Sequence, residues 1–242
     1  MDISTLLLSA LAALVALTFH EFAHGYVAYR LGDDTAKSLG RLSLNPIKHL
    51  DPFGAICMVL FHFGWAKPVP IDPRNFKNPR KGFAITACAG PLANIIIAFF
   101  ASFLYLLCLS NLTETSSAFL NNLQINTTLF LMYFFSINIG LGIFNLIPVP
   151  PFDGSRILNV ILPKHLYFKI MKYEKQMYWG VIAWLFFGQY VYHALLSVPF
   201  IANTPALASI AKIFSLSDIL GDTINIIANG MLKFWHLIPI FR

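Results

Sequence analysis

The chain has 242 residues, 57% of them hydrophobic and 12% charged, with a mean hydropathy of +0.66. That balance excludes an ordinary soluble globular domain and places the chain in lipid. The net charge of +6 is concentrated rather than spread: of 17 Lys and Arg residues, nine lie from Arg30 to Lys81 and five from Arg156 to Lys175, with none in Asn111–Asn126. It therefore reads as membrane topology and contact with the lipid bilayer, and no nucleic acid partner is expected.

An apolar run needs about 20 residues to cross roughly 30 Å of hydrocarbon. The first such run, Ile3–Tyr29, opens on Asp2 and continues straight into His20-Glu21. With no basic n-region and no small-residue cleavage site, it is expected to remain as a span. Leu31–Lys81 follows, punctuated by Asn45-Pro46, Asp51-Pro52, Lys67-Pro68-Val69-Pro70 and Asn78-Pro79, which mark turns. Within it Phe53–Trp65 is apolar but too short to span, and reads as a re-entrant or interfacial hairpin, or as a loop packed on the helices.

The second span is expected near Phe83–Leu109 and the third near Thr127–Ile147, with Asn111–Asn126 between them as an outer loop too short for a folded module. A fourth lies near Tyr178–Ile201. A weaker candidate, Asp218–Ile238, either spans, returning Lys233 and Arg242 to the cytoplasm, or lies on the surface, where Asp222, Asn225 and Asn229 are easily solvated. Cys57, Cys88 and Cys108 show no ligand or disulfide spacing and read as apolar filler.

The expectation is an all-α integral membrane protein. It is a polytopic bundle of four or five, at most six, transmembrane helices with a short re-entrant hairpin. Residues 1–242 would form one membrane-embedded domain, with a three-helix core over about 3–157 and C-terminal helices over about 178–242. The basic loops place the N-terminus outside and the helix ends near residues 30 and 147 in the cytoplasm, most simply in a cell's cytoplasmic membrane.

His20-Glu21-Phe22-Ala23-His24 lies in the cytoplasmic half of the first span. Residues four apart share a helix face, so His20 and His24 can offer two imidazole nitrogens to one metal ion. Glu21 lies about 100 degrees round, placed to take a proton from a metal-activated water that attacks a carbonyl, the chemistry of peptide hydrolysis. By composition alone, His-Glu-x-x-His is expected about 0.002 times in such a chain. Ionisable groups inside an apolar helix normally mark a function.

A catalytic zinc takes three protein ligands and keeps one open position, so a third donor is needed. Asp153 is the best candidate: Pro148, Pro150 and Pro151 stop the third span just before it, on the same membrane side as the histidines. His49 and Asp51 compete from that side, though Asp51 also fits a turn with a capping Asp. His62, His165, His193 and His236 have no partner at ligand spacing. Asn94, an amide in an apolar helix, must find a partner, and bonding between helices explains it as readily as an active-site role.

His20–His24, then Gly90-Pro91-Leu92-Ala93-Asn94, then Asn145 through Asp153-Gly154 on three successive spans resemble the site-2 protease family of intramembrane metalloproteases. The likeness covers the three-helix core. It implies one Zn2+ per chain held by His20, His24 and Asp153, with Glu21 activating water and Asn94 helping to polarise the scissile carbonyl. It further implies transmembrane or membrane-anchored protein substrates, with an edge of the Phe53–Trp65 hairpin receiving the unwound segment. Many relatives carry PDZ or regulatory domains, for which this chain has no room within the core. The competing function is a membrane zinc transporter or metal sensor using the same residues. Transporters tend to show duplicated halves, and no duplication is visible. A hydrolase of lipid amides is a third class.

Overall fold

The computed structural model describes residues 2–54, 66–113 and 116–238. Four of its helices are long and apolar enough to cross a membrane: α1 (Ile3–Arg30), α2 (Pro79–Ser110), α3 (Ala118–Asn145) and, after two shorter helices α4 (Asp153–Ile161) and α5 (Lys164–Met171), α6 (Glu174–Leu196). A further helix, α7 (Leu216–Trp235), follows the short helices Pro199–Ala202 and Pro205–Ala211. Among the described residues there is no strand, only an isolated antiparallel bridge between Leu50 and Ala66. Most of the hairpin expected over Phe53–Trp65 lies outside the described residues.

The helices start where the sequence supplies caps. Asp2 Oδ1 accepts from Thr5 N at 2.9 Å, and Asn78 Oδ1 accepts from Lys81 N at 3.1 Å ahead of Pro79 in the first turn of α2. The outer loop is shorter than expected. Ser117 caps α3, whose first turns take up half of Asn111–Asn126. A hydropathy window registers burial in lipid, whereas a capped helix continues wherever its backbone bonds can form.

The three-helix core is a small-residue seam. On α1 the buried face runs Ala12, Ala16, His20, His24, Ala28 in strict steps of four. On α2 it runs Ala84, Ala87, Gly90, Asn94, Ala98, Ala101, and on α3 it includes Asn138, Ile139 and Gly142. Lipid tails are as apolar as Leu, so such helices gain little from hydrophobicity alone. They associate by close backbone approach and by polar bonds between helices.

α7 packs on α2 and α3 through Ile224, Ile227, Ala228, Met231 and Leu232 against the Ala98, Ala101, Phe135 and Ile139 cluster. Its Trp235 ring lies 4.5 Å from that of Phe99, tilted by 38°, and its indole N–H donates to Ser102 Oγ at 2.9 Å. Ile224, nearer its start, sits beside Gly140 near the end of α3. α7 therefore runs in the same direction as α2. Lys233 lies toward the end of the bundle that carries Ser110, away from the basic end to which the spanning alternative would return it. The reason is the preceding segment, which folds back along α6. Trp184 Nε1 donates to Ile213 O at 3.1 Å and Ser215 Oγ to Gln189 Oε1 at 2.6 Å, so α7 starts midway along α6 rather than at its far end.

Candidate metal centre

His20 and His24 sit on the buried ridge of α1, 4% and 6% exposed, facing α2 at Gly90. Their rings lie 4.6 Å apart at 85°, and the two Nε2 atoms approach to 3.0 Å. Asp153, the first residue of α4, brings Oδ2 to 3.3 Å from His20 Nε2 and 3.2 Å from His24 Nε2. Its position follows from the proline-broken segment after α3, which folds back on itself. A Cβ at Gly154 would meet Leu146 O at 2.3 Å, so only glycine lets the start of α4 press against that segment. Ser155 Oγ closes the turn on Phe152 O at 2.7 Å, and Arg80 of α2 bonds the carbonyls of Asn159 and Leu162, fixing α4 on α2.

The hydrogen bonds behind the rings decide what faces inward. His24 Nδ1 lies 2.7 Å from Thr86 O, a carbonyl that can only accept, so Nδ1 carries the hydrogen and Nε2 the lone pair. His20 Nδ1 donates to Asn94 Oδ1 at 2.5 Å, with the same result for its Nε2. Asp153 Oδ2 is buried and makes no hydrogen bond. Two nitrogen lone pairs and a carboxylate oxygen thus converge with no hydrogen between them, an arrangement that repels itself unless a cation sits among them. The three donor atoms lie within 4.8 Å of one another. Tetrahedral zinc with bonds of about 2.0–2.1 Å sets its ligands about 3.3 Å apart, so the donor set fits zinc in number, type and spacing.

Glu21 is outside this trio. Its Oε2 accepts from Val69 N at 2.7 Å, and Val69 is buried over α1 beside Gly25. In Pro68-Val69-Pro70 only Val69 has a backbone N–H, and that donor goes to the glutamate. Asn94 is fully buried, with Oδ1 on His20 and its amide donating to Asn138 Oδ1 at 2.7 Å and Ala16 O at 3.3 Å. A role for it in polarising a carbonyl would require one of these bonds to be released.

The competing ligands lie outside this trio. His49 is fully buried with Nε2 on Ser43 O at 2.7 Å, and Asp51 Oδ1 accepts from Gly54 N at 2.8 Å as a turn cap. Asn145 bonds Leu141 O within its own helix. Sequence reasoning missed Thr86 O, Val69 N and Asn138. The first two are backbone groups and carry no residue signature. The third was open to the logic applied to Asn94, that an amide in an apolar helix needs a partner.

A bundle of membrane-length helices with a buried His-His-Asp centre defines a membrane metalloprotein with a hydrolase-type donor set. The model of peptidase family M50 matches residues 8–187, and the chain belongs to that family, the site-2 proteases, and with it to the zinc metalloendopeptidases. It is 44% identical over 172 residues, 71% of this chain and 75% of the relative, to YwhC of Bacillus subtilis, described as a candidate zinc metalloprotease. It is 31% identical over 150 residues to zinc metalloprotease MJ0392 of Methanocaldococcus jannaschii, covering 62% of this chain and 33% of that one. Rip2 of Mycolicibacterium smegmatis, also described as a candidate zinc metalloprotease, is 26% identical over 162 residues, 60% and 54% of the two chains. No solved structure matches the chain.

Proposed function

We propose that this metalloprotease cuts peptide bonds in or near the transmembrane segments of membrane proteins, with His20, His24 and Asp153 holding one zinc ion and Glu21 serving as general base. The observation that carries the proposal is the meeting of His20 Nε2, His24 Nε2 and Asp153 Oδ2 in the seam between helices long and apolar enough to lie in a bilayer. Bound zinc supplies a Lewis acid that lowers the pKa of water toward neutrality. The chain's own groups do the rest. Glu21 is oriented by Val69 N–H through Oε2, leaving Oε1 to accept the proton of the attacking water. The bonds to Asn94 and Thr86 keep the hydrogen of each imidazole on Nδ1 and turn both Nε2 atoms inward. Peptide bonds of a helical substrate are closed in their own hydrogen bonds, so the substrate unwinds locally before attack. The whole chain acts as one membrane-embedded unit, with the catalytic core over about 3–157 and the helices over about 178–242 as its flank. The centre opens toward the cytoplasmic side of a cell membrane, a reading supported by the basic loops at the adjoining helix ends.

The test is metal analysis of the purified protein together with cleavage of a panel of single-span substrates by wild type and Glu21→Gln. We expect about one zinc per chain in both proteins and cleavage by wild type alone, the variant losing at least about 100-fold. Undiminished cleavage by Glu21→Gln, or a wild-type protein that binds no zinc, overturns the proposal.

A further inference from the structure

Asn138 is fully buried in α3, and an unpartnered amide inside an apolar bundle is costly. Its bonds have a fixed sense. Asn138 Nδ2 donates to Phe134 O at 2.7 Å, a carbonyl that can only accept, so its Oδ1 must be the atom facing α2. That oxygen accepts from Asn94 Nδ2 at 2.7 Å, which in turn fixes Asn94 with Oδ1 toward His20 Nδ1. Turning either amide over would set donor against donor and acceptor against acceptor. His24 needs no such relay, since Thr86 O holds it directly. His20 therefore depends on a chain of two side chains drawn from α2 and α3, anchored on a backbone carbonyl that cannot change its role.

We infer that Asn138 is a positioning residue of the metal centre, which sets the tautomer and ring orientation of His20 by way of Asn94. This rests on the zinc site proposed above. Groups that hold a metal-ligating histidine in this way typically contribute about 10- to 100-fold to metal affinity. A bond that merely joins α2 to α3 would instead support the fold and leave the affinity of the folded protein unchanged.

The two are separated by titrating Zn2+ itself against a chromophoric chelator on purified full-length protein in detergent, without any measure of turnover. Asn138→Leu and the milder Asn138→Ser, whose hydroxyl is too short to reach Asn94, are expected to weaken zinc by about 10- to 100-fold. Asn138→Asp is expected to stay close to wild type, because a buried neutral carboxylic acid donates to Phe134 O and accepts from Asn94 in the same geometry. Phe135→Leu, a buried change three residues away on α3, serves as the packing control and should leave zinc affinity unchanged. Wild-type affinity in both Asn138→Leu and Asn138→Ser overturns the inference. So does a loss in Asn138→Asp or Phe135→Leu equal to that in Asn138→Leu. Failure of wild type itself to bind zinc strikes the site assignment instead.

Discussion

Gly90 is where α2 passes closest to the two histidines. A Cβ there would stand 2.4 Å from His24 Nε2 and 2.6 Å from His20 Cε1, distances that no side-chain adjustment short of moving the rings can relieve. Gly90→Ala is therefore expected to push the imidazoles off their common point and lower turnover by about 100-fold or more, as misplacements near 1 Å do. Bound zinc should fall with it. A variant that keeps full zinc and full cleavage would show that the rings have room the structure does not give them. At this scale the sequence carried much of the site. His20 and His24 announce themselves by spacing, and Asp153 by the prolines before it. What stayed hidden was the second half of each interaction, since a carbonyl such as Thr86 O or an amide such as Val69 N has no letter of its own. Asn94 was visible as a buried amide, but that its oxygen faces a histidine depends on three helices at once.

The segment from Pro68 to Asn75 links the glutamate to the Arg30 end of α1. Asp33, just beyond α1 and fully buried, accepts from Asp72 N at 2.8 Å, Asn75 Nδ2 at 2.8 Å, and the hydroxyl and amide of Thr35. Burial works to raise its pKa, but the hydrogen bonds from Thr35, Asn75 and Asp72 outweigh it and hold the carboxyl below its ordinary 3.8. A lowered carboxyl pKa contributes stability that is present in full above 3.8 and fades as pH falls through the lowered value. As pH falls below 3.8 the 66–75 segment should accordingly loosen, read as faster hydrogen exchange or proteolysis there. Asp33→Asn should blunt that response, and an equal response in wild type and variant would remove Asp33 as its source. Elements were legible where hydropathy marks them, as in α1, α2, α3 and α6. They were not where amphipathic or polar residues carry the helix. The start of α3, with Asn121, Asn122 and Gln124, reads as loop by composition yet is helical. α4 and α5, nine and eight residues long, are too short for any window tuned to a bilayer.

For the molecule as a whole, the proposed sidedness rests on the run of charges and the direction of the helices. α1 and α3 end, and α2 begins, among the basic loops, so the metal centre lies near the face toward which Arg30, Lys81 and Arg156 point. Cysteines placed singly at Lys77 and at Ser4 in a background lacking Cys57, Cys88 and Cys108 should react with an impermeant thiol reagent from opposite sides of sealed cells, Ser4→Cys from without and Lys77→Cys only after lysis. The reverse pattern would turn the whole assignment over. The direction of α7 was beyond the sequence, because it depends on a fold-back along α6 that no local signal prescribes.

The three donors come from distant stretches of the chain, the imidazoles from α1 and the carboxylate from the start of α4. During synthesis the histidines enter the bilayer early, while Asp153 is still unmade. A nascent chain therefore lacks one donor of the proposed zinc site until the ribosome has passed the third span.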